Sequence, residues 1–297
     1  MRKIGIIGAG AVGMLFAHYL STNFNVTLYV RRQEQAELLK KGLYVSIAEN
    51  VFINKSIQIK IFGEVPLEEK VQIVTVKQYS LNPVIETLQR SNHVHTVIFI
   101  QNGMSHIEEV SKLEKQTWLG VVEHGIRKES DNSIIHTGIG KTKLSPLSLQ
   151  SQSNDPFIEE WKESLRNTFE VEINENWKEI LTIKLLVNAV INPLTALFQV
   201  KNGDLLENKH YEKSMRLLFE EVYSIIPVSN KEDVWKHIVQ ICINTSANYS
   251  SMYRDVEKLQ QTEVDAILGY VIKKSQEQNK NAPLTQFLLE SIKGKTE

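Results

Sequence analysis

The stretch KIGIIGAGAVGMLFAHYL, residues 3–20, decides the fold. Lys3–Ile7 is a short β-rich run, and Gly8-Ala9-Gly10-Ala11-Val12-Gly13 follows it without a spacer. Residues 12–21 then read as a helix, and a second β-rich run, Asn25–Val30, stands at the distance expected after it. Gly8 would permit the tight turn out of the strand. Gly10 would let the backbone approach a pyrophosphate, and Gly13 would let helix and strand pack closely. The amides at the start of the helix would face phosphate oxygens, assisted by the helix dipole. A glycine pattern of this kind is weak in isolation. Set between a strand and a helix in a strand–helix–strand unit, it points to dinucleotide binding by Gly8, Ala9, Gly10, Ala11, Val12 and Gly13. A glycine-rich turn that binds nothing is the competing reading.

Downstream, Gln33–Lys41 is a helical run rich in Glu, Lys and Leu that ends at Gly42. Residues 71–76 and 94–100 are further β-branched runs, apolar nearly throughout. Near-continuous apolar strands belong to a parallel sheet covered on both faces, and their alternation with helices means a doubly wound α/β fold. Between residues 117 and 145 the runs 118–122, 134–137 and 141–144 follow one another without helices and read as an antiparallel extension. Residues 148–155 read as a polar loop, after which Asp155-Pro156 opens a helix well. The second half is helical, with 3.6-residue apolar spacing over 175–191, 211–226, 231–248 and 262–278. Pro193, Gly203, Pro227 and Pro283 punctuate it. The expected fold is therefore α/β, an N-terminal Rossmann dinucleotide-binding domain over residues 1–174 followed by an all-helical C-terminal domain over 175–297.

Composition narrows the function. The 297 residues fit two ordinary domains, and 42% hydrophobic with 23% charged residues is a globular balance. A net charge of −1 gives no electrostatic case for nucleic acid or an anionic membrane as partner. Met1-Arg2-Lys3 before an apolar run imitates a secretory signal, but Gly8, Gly10, Gly13, His18 and Tyr19 interrupt it. The apolar stretch 185–200 contains Asn188, Asn192, Pro193 and Gln199, so no transmembrane helix is expected. The single cysteine, Cys242, permits no internal disulfide and reads as a small buried hydrophobe, which fits a cytoplasmic setting. Eight histidines and one cysteine form no recognisable ligand spacing, so no metal is expected.

The end of the second strand indicates the cofactor. NAD-specific folds place a carboxylate there to accept from the ribose 2′-hydroxyl. Here Arg31-Arg32 stands instead, and a guanidinium pairs with a 2′-phosphate, which favours NADP(H) over NAD. Two solvated arginines opening a helix are the plainer alternative. Lys77, beyond the strand over residues 71–76, is a second candidate for the phosphate.

Hydride transfer from a nicotinamide needs a proton donor for the developing alkoxide. Lys184, Asn188 and Asn192 are four residues apart, which stacks them on one helical face among Leu185, Leu186, Val187, Val190 and Ile191. The aliphatic residues leave little room for a solvent-facing stripe, and a lined cleft is the sharper reading. A lysine there would be partly desolvated, with its pKa lowered toward the range where a general acid works. His124 is a rival acid.

In this segment the chain resembles the ketopantoate reductase family. Lys184, Asn188 and Asn192-Pro193-Leu194-Thr195-Ala196 look like its signature. Gln101-Asn102-Gly103-Met104, Asn202-Gly203-Asp204-Leu205, Asn248-Tyr249-Ser250-Ser251-Met252 and Thr262-Glu263-Val264-Asp265 are similar to family segments in the same order. The resemblance covers nearly the whole chain. It implies NADPH-dependent reduction of a 2-oxo acid, ketopantoate, to (R)-pantoate in pantothenate and coenzyme A biosynthesis, at a site between the two domains. It also implies roles. Lys184 would be the general acid, and Glu263 would contact the reacting hydroxyl and help orient the lysine and nicotinamide. Ser251, with Asn248, would hold the substrate carboxylate, and Asn188, Asn192 and Asn202 would line the pocket. Asn102 would lie between cofactor and substrate. Ile126 would turn its backbone amide to the cofactor, and Arg31 with Lys77 would meet the 2′-phosphate. A homodimer is compatible with the resemblance. Leu181-Thr182-Ile183 precedes the lysine where many family members carry an aromatic, which leaves the pocket shape open. A paralogue acting on another branched 2-oxo acid, or a sensor that binds NADP without catalysis, are the alternatives.

Overall fold

The computed structural model describes residues 1–148, 155–228 and 230–296, so the polar loop expected over 148–155 lies largely outside the described residues. The chain divides into two compact units. The first is Met1–Gln101 with Ile107–Trp177, and the second is Asn102–His106 with Lys178–Glu297. The first therefore runs three residues past the expected boundary at Asn174 and cedes five residues to the second.

The first unit contains, in chain order, β1 (Lys3–Ile7), α1 (Ala11–Leu20), β2 (Asn25–Val30), α2 (Gln33–Lys41), β3 (Leu43–Ile47), β4 (Asn50–Asn54), β5 (Gln58–Ile61) and β6 (Val71–Val74). It continues with α3 (Asn82–Arg90), β7 (Thr96–Phe99), α4 (Ile107–Val110), β8 (Gln116–Val122), β9 (Gly125–Ser130), β10 (Ser133–Gly138), β11 (Thr142–Pro146), α5 (Pro156–Ser164) and β12 (Val171–Ile173). The main sheet has the order β12-β11-β8-β7-β6-β1-β2-β5. Strands β5 to β8 in that order pair in parallel; β11 is antiparallel to β8, and β12 is parallel to β11. The chain runs outward from β1 through β2 to β5 and then returns to β6 on the other side of β1. The strand order thus reverses between β1 and β6, where ligands bind in such sheets.

The expected antiparallel extension is only partly right. β8 and β11 pair as anticipated, but residues 134–137 lie in β10, which belongs to a separate four-stranded sheet of order β4-β3-β10-β9. That sheet unites a hairpin with strands some ninety residues later, and β10 is parallel to β3.

The core explains why these elements hold. β1, β6 and β7 are buried along nearly their whole length because helices cover both faces. Phe16 of α1 packs edge-on against Trp161 (5.6 Å) and Phe169 (5.0 Å), and Tyr19 stacks on Phe169 at 4.7 Å. Asp155 caps α5 by accepting from the Phe157 and Ile158 amides. The helix therefore starts where the sequence predicts and presents Phe157, Ile158 and Trp161 to the core; truncating Trp161 to alanine would cost about 3–5 kcal/mol. A small polar cluster is buried beside β6. Glu69 accepts from the Tyr29 hydroxyl at 2.8 Å and from Gln72 Nε2 at 3.2 Å. The Gln72 amide lies over Gly5, where a Cβ would meet its Oε1 at 2.1 Å.

The second unit is helical: α6 (Trp177–Phe198), α7 (Asp204–Glu207), α8 (Lys209–Ile225), α9 (Lys231–Asn244), α10 (Ser251–Glu257), α11 (Tyr270–Glu277) and α12 (Pro283–Lys293). A π-helical turn, Asp265–Gly269, leads into α11. One punctuation mark acts differently from expectation. α6 continues through Pro193, because Leu194, Thr195 and Ala196 are buried and Thr195 Oγ1 donates to the Ile191 and Asn192 carbonyls. Proline removes one helical hydrogen bond, and the packing of the following turn outweighs that loss. Pro283 punctuates as expected by opening α12, as proline does at a first helical turn. By length and hydropathy α6 is able to cross a membrane, yet most of it is buried inside the protein, as in the core helix of a globular unit.

Candidate active site

In the first unit the glycine loop leaves β1 at the point of strand reversal. Gly8 has φ +111°, and a Cβ there would lie 2.9 Å from both Thr75 Oγ1 and the Val76 nitrogen. A Cβ on Gly13 would lie 1.9 Å from the Gly8 carbonyl oxygen, so helix and loop touch backbone to backbone. Thr75 fastens the loop by donating its hydroxyl to the Gly8 carbonyl at 2.8 Å. Gly10 differs from both, since nothing lies within 4 Å of a Cβ placed on it. It is exposed and precedes Ala11 and Val12 at the start of α1. That helix has no side-chain cap and no acidic residue in its first turn. Amides left open beside empty space suit an anionic ligand.

Arg31 follows β2 directly, is exposed, and makes no ion pair among the described residues. Arg32 is engaged: its guanidinium donates to Asp131 Oδ2 at 2.6 Å. Lys77 is half-buried after β6, ahead of a short 3-10 turn, Gln78–Ser80. Ile126 lies on β9 opposite His136 and packs against the core. These residues suit a phosphorylated dinucleotide: an open loop beside the start of α1, and an exposed Arg31 guanidinium that makes no ion pair among the described residues.

His124 belongs to a buried chain in the first unit. The Gly140 amide donates to its Nδ1 at 3.2 Å, and the same atom lies 3.1 Å from His136 Nε2. His136 Nδ1 is 2.9 Å from the Tyr19 hydroxyl. Burial first, and the neighbouring His136 second, push His124 down to about 4, against a weaker opposite pull from Glu123. The ring is neutral at pH 7, and its Nε2 is buried without a partner. This environment does not suit a general acid.

The second unit gathers the polar residues singled out in the sequence. On α6, Lys184 is half-buried, and Asn188 and Asn192 are only 6% and 8% exposed, so the stripe does not face solvent. Asn102 connects two other elements to it. Its Nδ2 donates to Glu263 Oε2 at 2.9 Å, and its Oδ1 accepts from Asn188 Nδ2 at 3.3 Å. Glu263 stands two residues before the π-helical turn, a local widening frequent at functional sites. Asn202 donates Nδ2 to Thr245 Oγ1 at 2.8 Å and its backbone amide to the Asn248 carbonyl at 3.0 Å. Its Oδ1 is buried without a partner, a group that a ligand donor would satisfy. Asn248 and Ser251 are exposed.

Three contributions were missed in the sequence. Ser250, not Ser251, caps α10, and its hydroxyl shares a 2.7 Å hydrogen bond with Thr195 Oγ1, which ties α10 to α6. Gly103 has φ +78° and sits against the π-helical turn, where a Cβ would lie 2.3 Å from the Ala266 oxygen. Thr182 Oγ1 donates to Met104 Sδ at 3.7 Å. The N-G pair after a strand is a turn signal, but nothing local in it reveals the helix that the turn rests on.

Comparison with known proteins agrees along the whole chain. Residues 4–148 match the family model described as Ketopantoate reductase PanE/ApbA, and residues 176–296 match its C-terminal counterpart. A 2-dehydropantoate 2-reductase of Bacillus subtilis (strain 168) is 38% identical over 296 residues, covering 98% of this chain and 96% of that protein. One from Listeria innocua is 37% identical over 301 residues with the same coverage. The crystal structure of probable 2-dehydropantoate 2-reductase panE from Bacillus subtilis superimposes with a TM-score of 0.84 at 36% identity, covering 99% of each chain.

Proposed function

This chain belongs to the ketopantoate reductase family, and on that premise we propose that it reduces 2-dehydropantoate to (R)-pantoate with NADPH. The observation that carries the assignment to particular residues is the Asn188–Asn102–Glu263 chain of hydrogen bonds, which starts one helical turn after Lys184 on α6 and joins that helix to the 102–106 segment and to the residue two positions before the π-helical turn. The first unit is the cofactor-binding domain and the second the substrate and catalytic domain.

Gly8 to Gly13 hold the pyrophosphate through open backbone amides, and Arg31, supplemented by Lys77, pairs with the 2′-phosphate. The Ile126 amide and Asn102 add cofactor contacts. Bound NADPH supplies the hydride for the keto carbon. Lys184 gives its ammonium proton to the carbonyl oxygen as negative charge develops there. Glu263, fixed by Asn102, accepts from the resulting hydroxyl and orients Lys184. Asn188, Asn192 and Asn202 present amides to the substrate's polar groups, and Asn202 Oδ1 accepts from a substrate hydroxyl. Ser251 and Asn248 donate to the carboxylate. The single buried thiol, Cys242, whose pKa burial pushes up to about 12, is inert and fits a reducing cytoplasmic setting.

Turnover on ketopantoate compared with pyruvate and with other branched 2-oxo acids tests the substrate. One methylene in an apolar pocket discriminates by only about 1–3 kcal/mol, so a related substrate within tenfold in kcat/KM fits the proposal. A kcat/KM higher for another 2-oxo acid overturns the named substrate. Tight NADPH binding with no oxidation by any of them identifies a sensor instead.

A further inference from the structure

Gln35 has no role assigned so far, yet its buried amide touches the phosphate-binding loop. Gln35, in the first turn of α2, is 6% exposed. Its Nε2 donates twice: to the Ala9 carbonyl at 2.8 Å, inside the glycine loop, and to the Asp131 carbonyl at 2.9 Å, in the turn between β9 and β10. An amide nitrogen has two protons to give, and both are used. Glutamine is otherwise uncommon in a core, and this one sits among Ala36 and Leu39 of the same helix face.

The turn it reaches is itself bolted to α2. Asp131 accepts from Arg32 Nη2 at 2.6 Å and from Lys128 Nζ at 2.8 Å. Asn132 donates Nδ2 to the Leu38 and Gly42 carbonyls at 3.2 and 3.0 Å, which closes the other end of the helix. The second sheet therefore holds α2 at both ends, and Gln35 joins this assembly to the glycine loop. Arg31 precedes α2 by two residues, and Arg32 is retained by Asp131.

We infer that Gln35 is a positioning residue for the cofactor. It sets the distance between the loop that takes the pyrophosphate and the helix whose start carries the 2′-phosphate arginine, and it directs the Ala9 carbonyl away from the phosphates. This rests on the cofactor-site reading proposed above. Because Arg32–Asp131 and the Asn132 contacts keep α2 in place without Gln35, its loss loosens the loop rather than Arg31. The loop serves NADPH and NADH alike, whereas Arg31 serves NADPH only.

The test is the Kd of NADPH and of NADH, by fluorescence titration, for wild type, Gln35→Leu, Gln35→Met and Arg31→Ala. Both Gln35 variants keep the side-chain bulk and lose the two donors; methionine, being flexible, is the safer of the pair for folding. The inference predicts that both weaken NADPH and NADH by the same factor, about tenfold for the loss of two hydrogen bonds. At saturating NADPH kcat stays within twofold of wild type, a split that general destabilisation would not produce. Arg31→Ala weakens NADPH selectively. If the Gln35 variants bind both cofactors like wild type while Arg31→Ala loses only NADPH, the inference is overturned and the cofactor site stands. If Arg31→Ala leaves both affinities unchanged, the cofactor-site reading fails, and the positioning role falls with it.

Discussion

Replacing Gly103 with alanine separates catalytic positioning from cofactor binding. Gly103 follows Asn102 and holds φ +78°, a region that costs an L-residue roughly 1–2 kcal/mol. The added Cβ would also lie 2.3 Å from the Ala266 oxygen and 2.9 Å from its carbonyl carbon. Both are backbone atoms of a packed helical turn and do not rotate away. Relief requires a shift of about 1 Å, comparable to the misplacement that costs about a hundredfold in rate when it reaches reacting groups. The atoms next to this strain are those of Asn102, whose 2.9 Å hydrogen bond orients Glu263. Gly103→Ala should therefore lower kcat by about ten- to a hundredfold. Its stability should fall by roughly 2–4 kcal/mol, or some 5–10 °C in Tm. KM for NADPH should move much less than kcat: Asn102 adds one cofactor contact, whereas the glycine loop that takes the pyrophosphate lies in the other unit. Steady-state kinetics together with a thermal melt read all three quantities. A variant with wild-type kcat and Tm would refute both the contact with the π-helical turn and its use in orienting Glu263.

Gly10→Ala should behave in the opposite way. Its Cβ meets nothing within 4 Å, so Tm should hold while the Kd for NADPH rises at least tenfold; a matched loss of Tm would show that the space is filled by protein. Acid should destabilise the fold through its buried neutral histidines. Burial lowers His106 to about 4, and burial with the adjacent His136 lowers His124 to about 4, whereas the unfolded chain takes up these protons near 6.5. A histidine with a depressed folded-state pKa contributes stability that is complete above about pH 6.5 and is lost as pH falls toward 4, by roughly 3 kcal/mol for a fully buried ring such as His106. Urea midpoints should fall steadily from pH 7 to 4.5, with a shallower slope in His106→Leu; a flat profile in wild type counts against neutral burial.

How much of this was legible in the sequence depends on whether the signal was local. β1, β2 and α2 were read to the residue because strand alternation, the glycine turn and the helix-ending Gly42 all lie within a few positions. The second sheet was not legible. Strand β4 is exposed at Asn50, Val51, Phe52 and Ile53 and lacks buried–exposed alternation, and β3 finds its partner β10 across some ninety residues. The stripe of Lys184, Asn188 and Asn192 was visible from helical spacing, and the aliphatic residues around it already argued against a solvent face. What spacing does not contain is the hydrogen-bonded link through Asn102, which depends on a loop folding into the helical unit, or the persistence of α6 past Pro193, which depends on the burial of its last turn.

The most direct measurement of the central claim is NADPH oxidation with ketopantoate, followed by nicotinamide absorbance, for wild type and Lys184→Ala. The account predicts an active wild type and a variant slower in kcat by about two or more orders of magnitude, as the loss of a general acid requires. Its KM for NADPH and its Tm should change little. Equal activity of the two proteins would contradict the role of Lys184, and a wild type inert toward ketopantoate would contradict the reaction itself.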